Sequence, residues 1–557
     1  MYDNYSENES SLEYIYNKLD GGSKSNNIKW TTFHHNGVMF FPPYEIHKIP
    51  LLYGGNEIFL KEKSEEYATI YSKYTGTDYL NNKKFKKNFF NDWKKILKKD
   101  GHIEIIDFDK CDFTLIYDYL LHKKNEKDLV SKEKKEIIKK EKDTLSSKYK
   151  YAIVDGVKEE LSNFLIEPPG LYLGRGCNPL MGKIKYRILP EDIIINIDEH
   201  SKIPVLPNYY KNHHWGEIIH NHNVEWVASW YDNITGKSKY VWLSNKSNFK
   251  TKSDQNKFEI ARVLKKNIGE ILRINNLNII TPSNDDRIKQ LAVCLYLIHL
   301  LSIRVGGEKN TDEEADTVGV TTLKIENISL EEDNVLKLHF LGKDSILYKK
   351  SVNIDSDVYD NLIKFITNKK KGEQVFNLIN SNMLNDYLKE MMPDLTAKLF
   401  RTFNSSMLFQ EEIDKIDSKY KDYNKNDKIE KLKGDFILAN LSVARICNHV
   451  KSVNKNFIET IKKLDDRIKE LKLKKDLIKD KQRIKKINET IRILKNKRDL
   501  KNQLRDYSLD TSVGNYIDPR IVFSFSKRHN IAIENLLSKA LIEKFFWAKD
   551  TPKDWIF

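Results

Sequence analysis

The chain has 557 residues, 40% of them hydrophobic and 11% aromatic, which suits a folded core and excludes a disordered polymer. Lys and Arg number 95 against 80 Asp and Glu, a formal net charge of +15. That excess points to a polyanion such as nucleic acid, although an AT-rich coding sequence would also enrich Lys. Cys111, Cys177, Cys294 and Cys447 are dispersed without a C-x-x-C pair, so neither a disulfide framework nor a cysteine zinc site is expected.

Residues 1–27 are polar, carry no secretory leader pattern and read as a disordered tail. From 28 to about 130 the pattern reads as mixed, with short strands and loops and turns at Pro42-Pro43 and Gly54-Gly55. Residues 131–150 predict one highly charged helix, most simply a solvated one. Residues 151–244 are strand-rich, with strands expected over Asp192–Ile197 and Val224–Trp230. Helical periodicity takes over at 255–305. Its longest apolar run, Leu291–Ile303, has 13 residues, too few to span a bilayer, so a buried helix and no membrane partner are expected. Alternation at Leu336, Leu338 and Phe340, then Gly342 to Ser345, then a strand to Val352, predicts a hairpin. Residues 357–450 return to helix.

Residues 452–505 carry 19 Lys and Arg against 8 Asp and Glu, so most of the net charge sits there. Ile461, Leu464, Ile468 and Leu471 recur at steps of three and four, as do Ile484, Ile487, Ile491 and Leu494. Narrow apolar seams of this kind predict an antiparallel helical hairpin. Its charged flanks suit either an ordinary solvated arm or one lying beside a polyanion. Residues 508–557 predict a small helical piece anchored by Phe545, Phe546 and Trp547.

Common enzyme signatures are missing: the sequence holds no G-x-x-x-x-G-K-[ST], no G-x-S-x-G and no H-E-x-x-H. His213, His214, His220 and His222 fall within ten residues and invite a metal reading. With only Glu217 among them, surface or phosphate-facing histidines are the simpler reading. No metal, cofactor or nucleotide is therefore expected.

Six motifs then stand in order: PPGLYLGRG at 168–176, LPEDIIIN at 189–196, LGKDS at 341–345, LTAKLFRT at 395–402, CNH at 447–449 and NYIDPR at 515–520. KWTTFHHNGVMFFPPY at 29–44 and KNFFNDW at 87–93 precede them. Together they resemble the eukaryotic type IB DNA topoisomerases, from about residue 28 to the C-terminus. The resemblance implies Tyr516 as nucleophile and Arg304, Lys343, Arg401 and His449 as its catalytic partners. It implies a transient nick through a 3′-phosphotyrosine, rotation and religation without ATP or metal, and relaxation of positive and negative supercoils. Arg175, Asp344 and Asn515 are implied beside the cleavage site, and Lys183 and Lys185 at phosphates. Residues 174–180 and 306–310 would form the lips of a clamp around double-stranded DNA.

The chemistry asks for these residue types on its own account. Attack on a phosphodiester builds charge on non-bridging oxygens, which forked, permanently charged guanidiniums can hold. Arg304 and Arg401 supply two, and His449 can donate a third hydrogen bond. Lys343 can protonate the leaving 5′ oxygen, the better if neighbouring arginines lower its pKa. Each residue alone has a plainer reading. Arg304 could cap the apolar helix, Lys343 could be a turn lysine, Arg401 and His449 could be structural hydrogen-bonders, and Tyr516 is one of 28 tyrosines. Only the joint pattern favours catalysis.

The implied architecture is multidomain α+β. A mixed α/β cap (28–244) and a mainly helical catalytic domain with a hairpin-bearing sheet (245–451) form the clamp. An antiparallel coiled-coil linker (452–507) and a helical C-terminal domain (508–557) follow. A monomer in the nucleus is implied, or in the factory or virion of a large DNA virus, since cellular members of the family carry a long charged region where this chain has about 27 residues. His449 and Tyr516 are closer in sequence than in animal members, Val513-Gly514 stand in place of Lys-Leu, and Gly307 in place of Asn. A tyrosine recombinase uses similar chemistry, and an inactive DNA-binding clamp would keep the fold; both stay open as alternatives.

Overall fold

A computed structural model describes residues 28–174, 176, 178–307, 317–423, 427–453 and 456–557. The tail expected over 1–27 lies outside them, as does Arg175. The chain divides into two compact units, Met1–Gly174 with Pro179–Lys250, and Arg175–Asn178 with Thr251–Phe557. Among the described residues, no helix is long and apolar enough to cross a membrane.

The first unit holds two apolar cores. One is built around a sheet in the order Glu217–Ile219, Ile194–Asn196, Trp226–Tyr231, Ser238–Trp242, with the first pair parallel and the others antiparallel. Its Ile193, Ile195, Val227, Ala228 and Val241 pack with Trp30, Phe33 and Phe40. The other core lies mainly in the stretch read as mixed, and helices that the sequence reading did not single out make up much of it. It contains the helices Glu62–Ser72, Lys83–Asp100 and Thr114–Leu129. The helix Lys83–Asp100 buries Phe85, Phe89, Trp93, Ile96 and Leu97, a stripe at steps of four, four, three and one. Asn82 caps it by accepting from the amides of Lys84 and Phe85, and Gly101 ends it at φ 90°. The many lysines on its other face hid that stripe. The charged stretch expected at 131–150 is helical over Lys132–Ser147, with no buried residue.

The second unit is mainly helical around one large core. The apolar run forms the helix Asp286–Leu301, which starts on an Asp285 cap and stops at Ser302 with φ 52°. The expected hairpin is present as Val335–Leu341 against Leu347–Asn353, and Ile328–Glu331 adds a third strand. Leu336, Leu338 and Phe340 point into the core, as their alternation requires. Helices Phe457–Asp476 and Lys481–Leu504 pack through Ile468, Leu471 and Ile491, with Ile487 and Leu494 beside them. In the C-terminal segment Phe545 is fully buried, but Phe546 is 62% exposed, so it is no core anchor.

Candidate active site

Three backbone devices bring distant residues of the second unit together. The first places Arg304. After the helix stops at Ser302, the amides of Val320 and Thr321 donate to the carbonyls of Arg304 and Val305, at 2.9 and 2.8 Å. Asn404 donates to the carbonyl of His299 (2.7 Å) and to the Ser302 hydroxyl (3.0 Å), tying this exit to the helix Ala397–Tyr420 that carries Arg401.

The second device is the hairpin loop. The amide of Gly342 donates to the carbonyl of Ile346 at 2.8 Å, and Asp344 and Ser345 take φ 65° and 58°. Lys343 and Asp344 are thereby held at the loop tip. The third is the end of the helix Lys428–Ile446. Asn448 turns left-handed at φ 51°, the His449 amide donates to the Ala444 carbonyl at 2.9 Å, and Asn448 Nδ2 reaches the Leu347 carbonyl on the hairpin at 3.2 Å.

Arg304, Lys343, Asp344, Arg401 and His449 line one cavity of about 150 Å³, with Ser508 and Thr511 also in its wall. Tyr516 packs behind two of these residues. Its ring stacks on His449 with centroids 5.3 Å apart and planes at 23°, and the Arg401 guanidinium carbon is 4.9 Å from its centre. Only 4% of Tyr516 is exposed. Arg401 Nη2 donates to the Cys447 carbonyl at 2.9 Å and lies 3.3 Å from His449 Nε2. Its Nε–H is buried without a hydrogen-bond partner among the described residues. Burial, helped by the positive charges of Arg401 and Arg304, drives the His449 pKa down to about 3, so the ring is neutral.

The backbone around Tyr516 is held by residues the sequence analysis passed over. Ser406 Oγ donates to the Tyr516 carbonyl (3.1 Å) and accepts from the Asp518 amide (3.0 Å). Lys257 Nζ donates to the Asn515 carbonyl (3.2 Å) and Lys544 Nζ to that of Gly514 (2.6 Å), with Asp254 paired to both lysines. Asp518 forks onto Arg520, which also meets Glu259. Ser512 Oγ lies 2.7 Å from His449 Nδ1. Ser512 stands one helical turn before Tyr516, the one cue the sequence offered for it.

Asn515 turns its side chain to the Thr511 carbonyl. Lys183 and Lys185 belong to the first unit, where Lys185 pairs with Glu167 at 2.8 Å. The four clustered histidines take separate local partners: His213 on Glu191, His214 on the Trp215 carbonyl, His220 on that of Ile197 and His222 on that of Trp30.

Family comparison agrees along the chain. Residues 28–243 match the DNA-binding fragment of eukaryotic DNA topoisomerase I, 246–482 its catalytic core, and 481–557 the C-terminal topoisomerase domain. DNA topoisomerase 1 alpha of Arabidopsis thaliana is 39% identical over 95% of this chain, which spans 59% of that relative's length. DNA topoisomerase 1 of Caenorhabditis elegans is 36% identical, with 97% of this chain and 69% of the relative covered. The Homo sapiens protein of that name is 35% identical, with 94% and 71% covered. The chain belongs to the eukaryotic DNA topoisomerase I family.

Proposed function

We propose that this chain relaxes supercoiled double-stranded DNA by cutting and resealing one strand through Tyr516. The observation that carries the reading is the stack of Tyr516 against Arg401 and His449, at the wall of a cavity that Arg304 and Lys343 share. Arg401's buried Nε–H, without a partner among the described residues, suits an anionic oxygen, since a buried donor without an acceptor is costly.

In the proposed reaction the Tyr516 oxygen attacks phosphorus and gives up its proton to water. The phosphorus–O5′ bond breaks, and Lys343 passes a proton to O5′. Arg304, Arg401 and His449 hold the non-bridging oxygens, where each preorganised donor is worth about 3 kcal/mol. The ester to Tyr516 conserves the energy of the broken bond, so the reverse attack by the 5′ hydroxyl reseals the strand without ATP. Tyr516 must shift from behind Arg401 and His449 for its oxygen to reach phosphorus.

The reading extends to the whole chain. A cap at 28–244 and a catalytic module at 245–451 close around the duplex as a monomer, with Arg175, Asp344, Asn515, Lys183 and Lys185 along the DNA. The basic helical pair at 452–507 lies beside downstream DNA as a coiled-coil linker, and 508–557 delivers Tyr516. Binding is mostly to phosphates and falls with salt. The work is placed in the nucleus, or in the replication compartment of a large DNA virus.

A duplex whose scissile strand ends a few bases past the cut loses the short downstream piece with its 5′ hydroxyl, which traps the intermediate. The expected result is protein joined to the 3′ end of the upstream fragment, absent with Tyr516→Phe. Attachment to a 5′ end, or an adduct that survives Tyr516→Phe, would overturn the reading.

A further inference from the structure

A histidine that donates to a phosphate from Nε2 must carry its proton there. In the structure that nitrogen faces the wrong way chemically: Arg401 Nη2, which can only donate, lies 3.3 Å from it. A neutral imidazole that accepts at Nε2 carries its proton on Nδ1, and that proton goes to Ser512 Oγ at 2.7 Å. Burial keeps the ring from holding both protons. The heavy-atom contacts thus fit the acceptor tautomer of His449.

Ser512 is fully buried, and its hydroxyl can serve either tautomer because it both accepts and donates. Its backbone is committed to the nucleophile, since the amides of Tyr516 and Ile517 donate to the Ser512 carbonyl at 2.9 and 3.2 Å. The His449 backbone is joined to the same segment through the Ser508 amide at 2.8 Å. One residue therefore touches both the ring that must donate and the turn that bears Tyr516.

We propose that Ser512 is a positioning residue that sets which nitrogen of His449 carries the proton, and so converts His449 from an acceptor for Arg401 into a donor to the scissile phosphate. This rests on the reading of His449 as a phosphate donor. When a phosphate oxygen takes the guanidinium of Arg401, Nε2 loses its donor. Nδ1 then releases its proton to water, Nε2 takes one from water, and the ring is neutral before and after. The Ser512 hydroxyl rotates to donate to the bare Nδ1 and holds the ring as Nε2–H. No other side chain hydrogen-bonds to Nδ1 among the described residues. Without the hydroxyl, nothing selects the donor tautomer.

The test is a double-mutant cycle on single-turnover cleavage by the full chain, using the same truncated duplex. Gln at 449 can donate an amide N–H but has no tautomers. Ser512→Ala is expected to slow cleavage about tenfold or more with His449 present, and less than about twofold in His449→Gln, with DNA affinity unchanged in both. Equal losses in the two backgrounds would overturn the proposal and leave Ser512 a structural residue. Cleavage unaffected by His449→Gln would instead overturn the reading beneath it. Imidazole 15N spectra of the Tyr516→Phe protein bound to intact duplex give a second readout, with the His449 signals assigned from their loss in His449→Gln. The ring should be Nε2–H with Ser512 and mixed with Ala. If Ser512→Ala does not fold, Ser512→Cys, a weak donor of similar size, serves in both measurements. An Nδ1–H ring in the wild-type complex contradicts the proposal.

Discussion

The guanidinium carbon of Arg401 stands 4.9 Å from the centre of the Tyr516 ring, so the group that would hold the phosphate also covers the nucleophile. This contact and the Cys447 carbonyl fix the planar fork of the arginine. Arg401→Lys keeps the charge and loses the fork. Cleavage should fall about a hundredfold, in line with loss of one preorganised donor. Binding of duplex should change by no more than about threefold. Single-turnover cleavage beside a binding titration checks this, and a pure affinity loss would contradict it.

Lys257 and Lys544 hold the two carbonyls before Tyr516, with Asp254 between them. Burial lowers the Lys257 pKa, and Asp254 opposes that shift. Lys544→Met should slow cleavage and religation alike, each by about tenfold, because the turn bearing the nucleophile is released in both directions. A methyl at Gly514 would press on Leu541 Cδ2 at 3.3 Å, the flexible end of a side chain. Gly514→Ala should leave stability within about 1 kcal/mol of wild type, since the gain in helix propensity offsets a small leucine shift. Rates of trapped-complex formation and reversal, with a melting curve, decide both points.

Much of this site was legible only as a pattern. Arg304, Lys343, Arg401, His449 and Tyr516 sit in short recognisable motifs, yet nothing in their spacing shows that they meet. Their convergence depends on left-handed turns at Ser302 and Asn448, where neither residue is a glycine to advertise the turn. Lys257, Lys544 and Ser406 act on backbone carbonyls, a role with no side-chain signature. The hairpin at Lys343 and the helices at 457–504 were readable because their periods are clean. The helix Lys83–Asp100 was missed because its apolar stripe is diluted by lysines, and Phe546 misled because hydrophobicity alone does not fix burial.

Gly319 packs directly on the helix exit that carries Arg304. A Cβ there would come within 2.3 Å of the Gly306 amide nitrogen and 2.7 Å of the Val305 carbonyl carbon. Both contacts are backbone, so Gly319→Ala should cost about 2–3 kcal/mol and lower cleavage further by displacing Arg304. A Cβ on Gly307 would meet nothing within 4 Å among the described residues, so Gly307→Asn should be close to neutral in urea unfolding. Equal behaviour of the two variants would refute this account of how Arg304 is placed.

His449 and His35 are both neutral in the native protein, with pKa values lowered from 6.5 to about 3 and about 4, chiefly by burial. Above pH 6.5 neither state binds the proton and the contribution is intact. As pH falls below 6.5 the unfolded chain is protonated first, so stability drops by about 1.4 kcal/mol per pH unit for each histidine. By pH 5 each should have cost about 2 kcal/mol, and the loss ends near pH 4 for His35 and near pH 3 for His449. Urea midpoints from pH 7.5 to 5 should fall less steeply in His35→Gln and in His449→Gln.

The most direct measurement incubates the purified chain with negatively supercoiled plasmid in EDTA without ATP, beside Tyr516→Phe. The account predicts a ladder of relaxed topoisomers from the wild type, on a plasmid with no defined site, and none from the variant. Relaxation that needs Mg²⁺ or ATP, or that persists in Tyr516→Phe, would contradict it. So would a wild-type protein that binds the plasmid and leaves its topology unchanged.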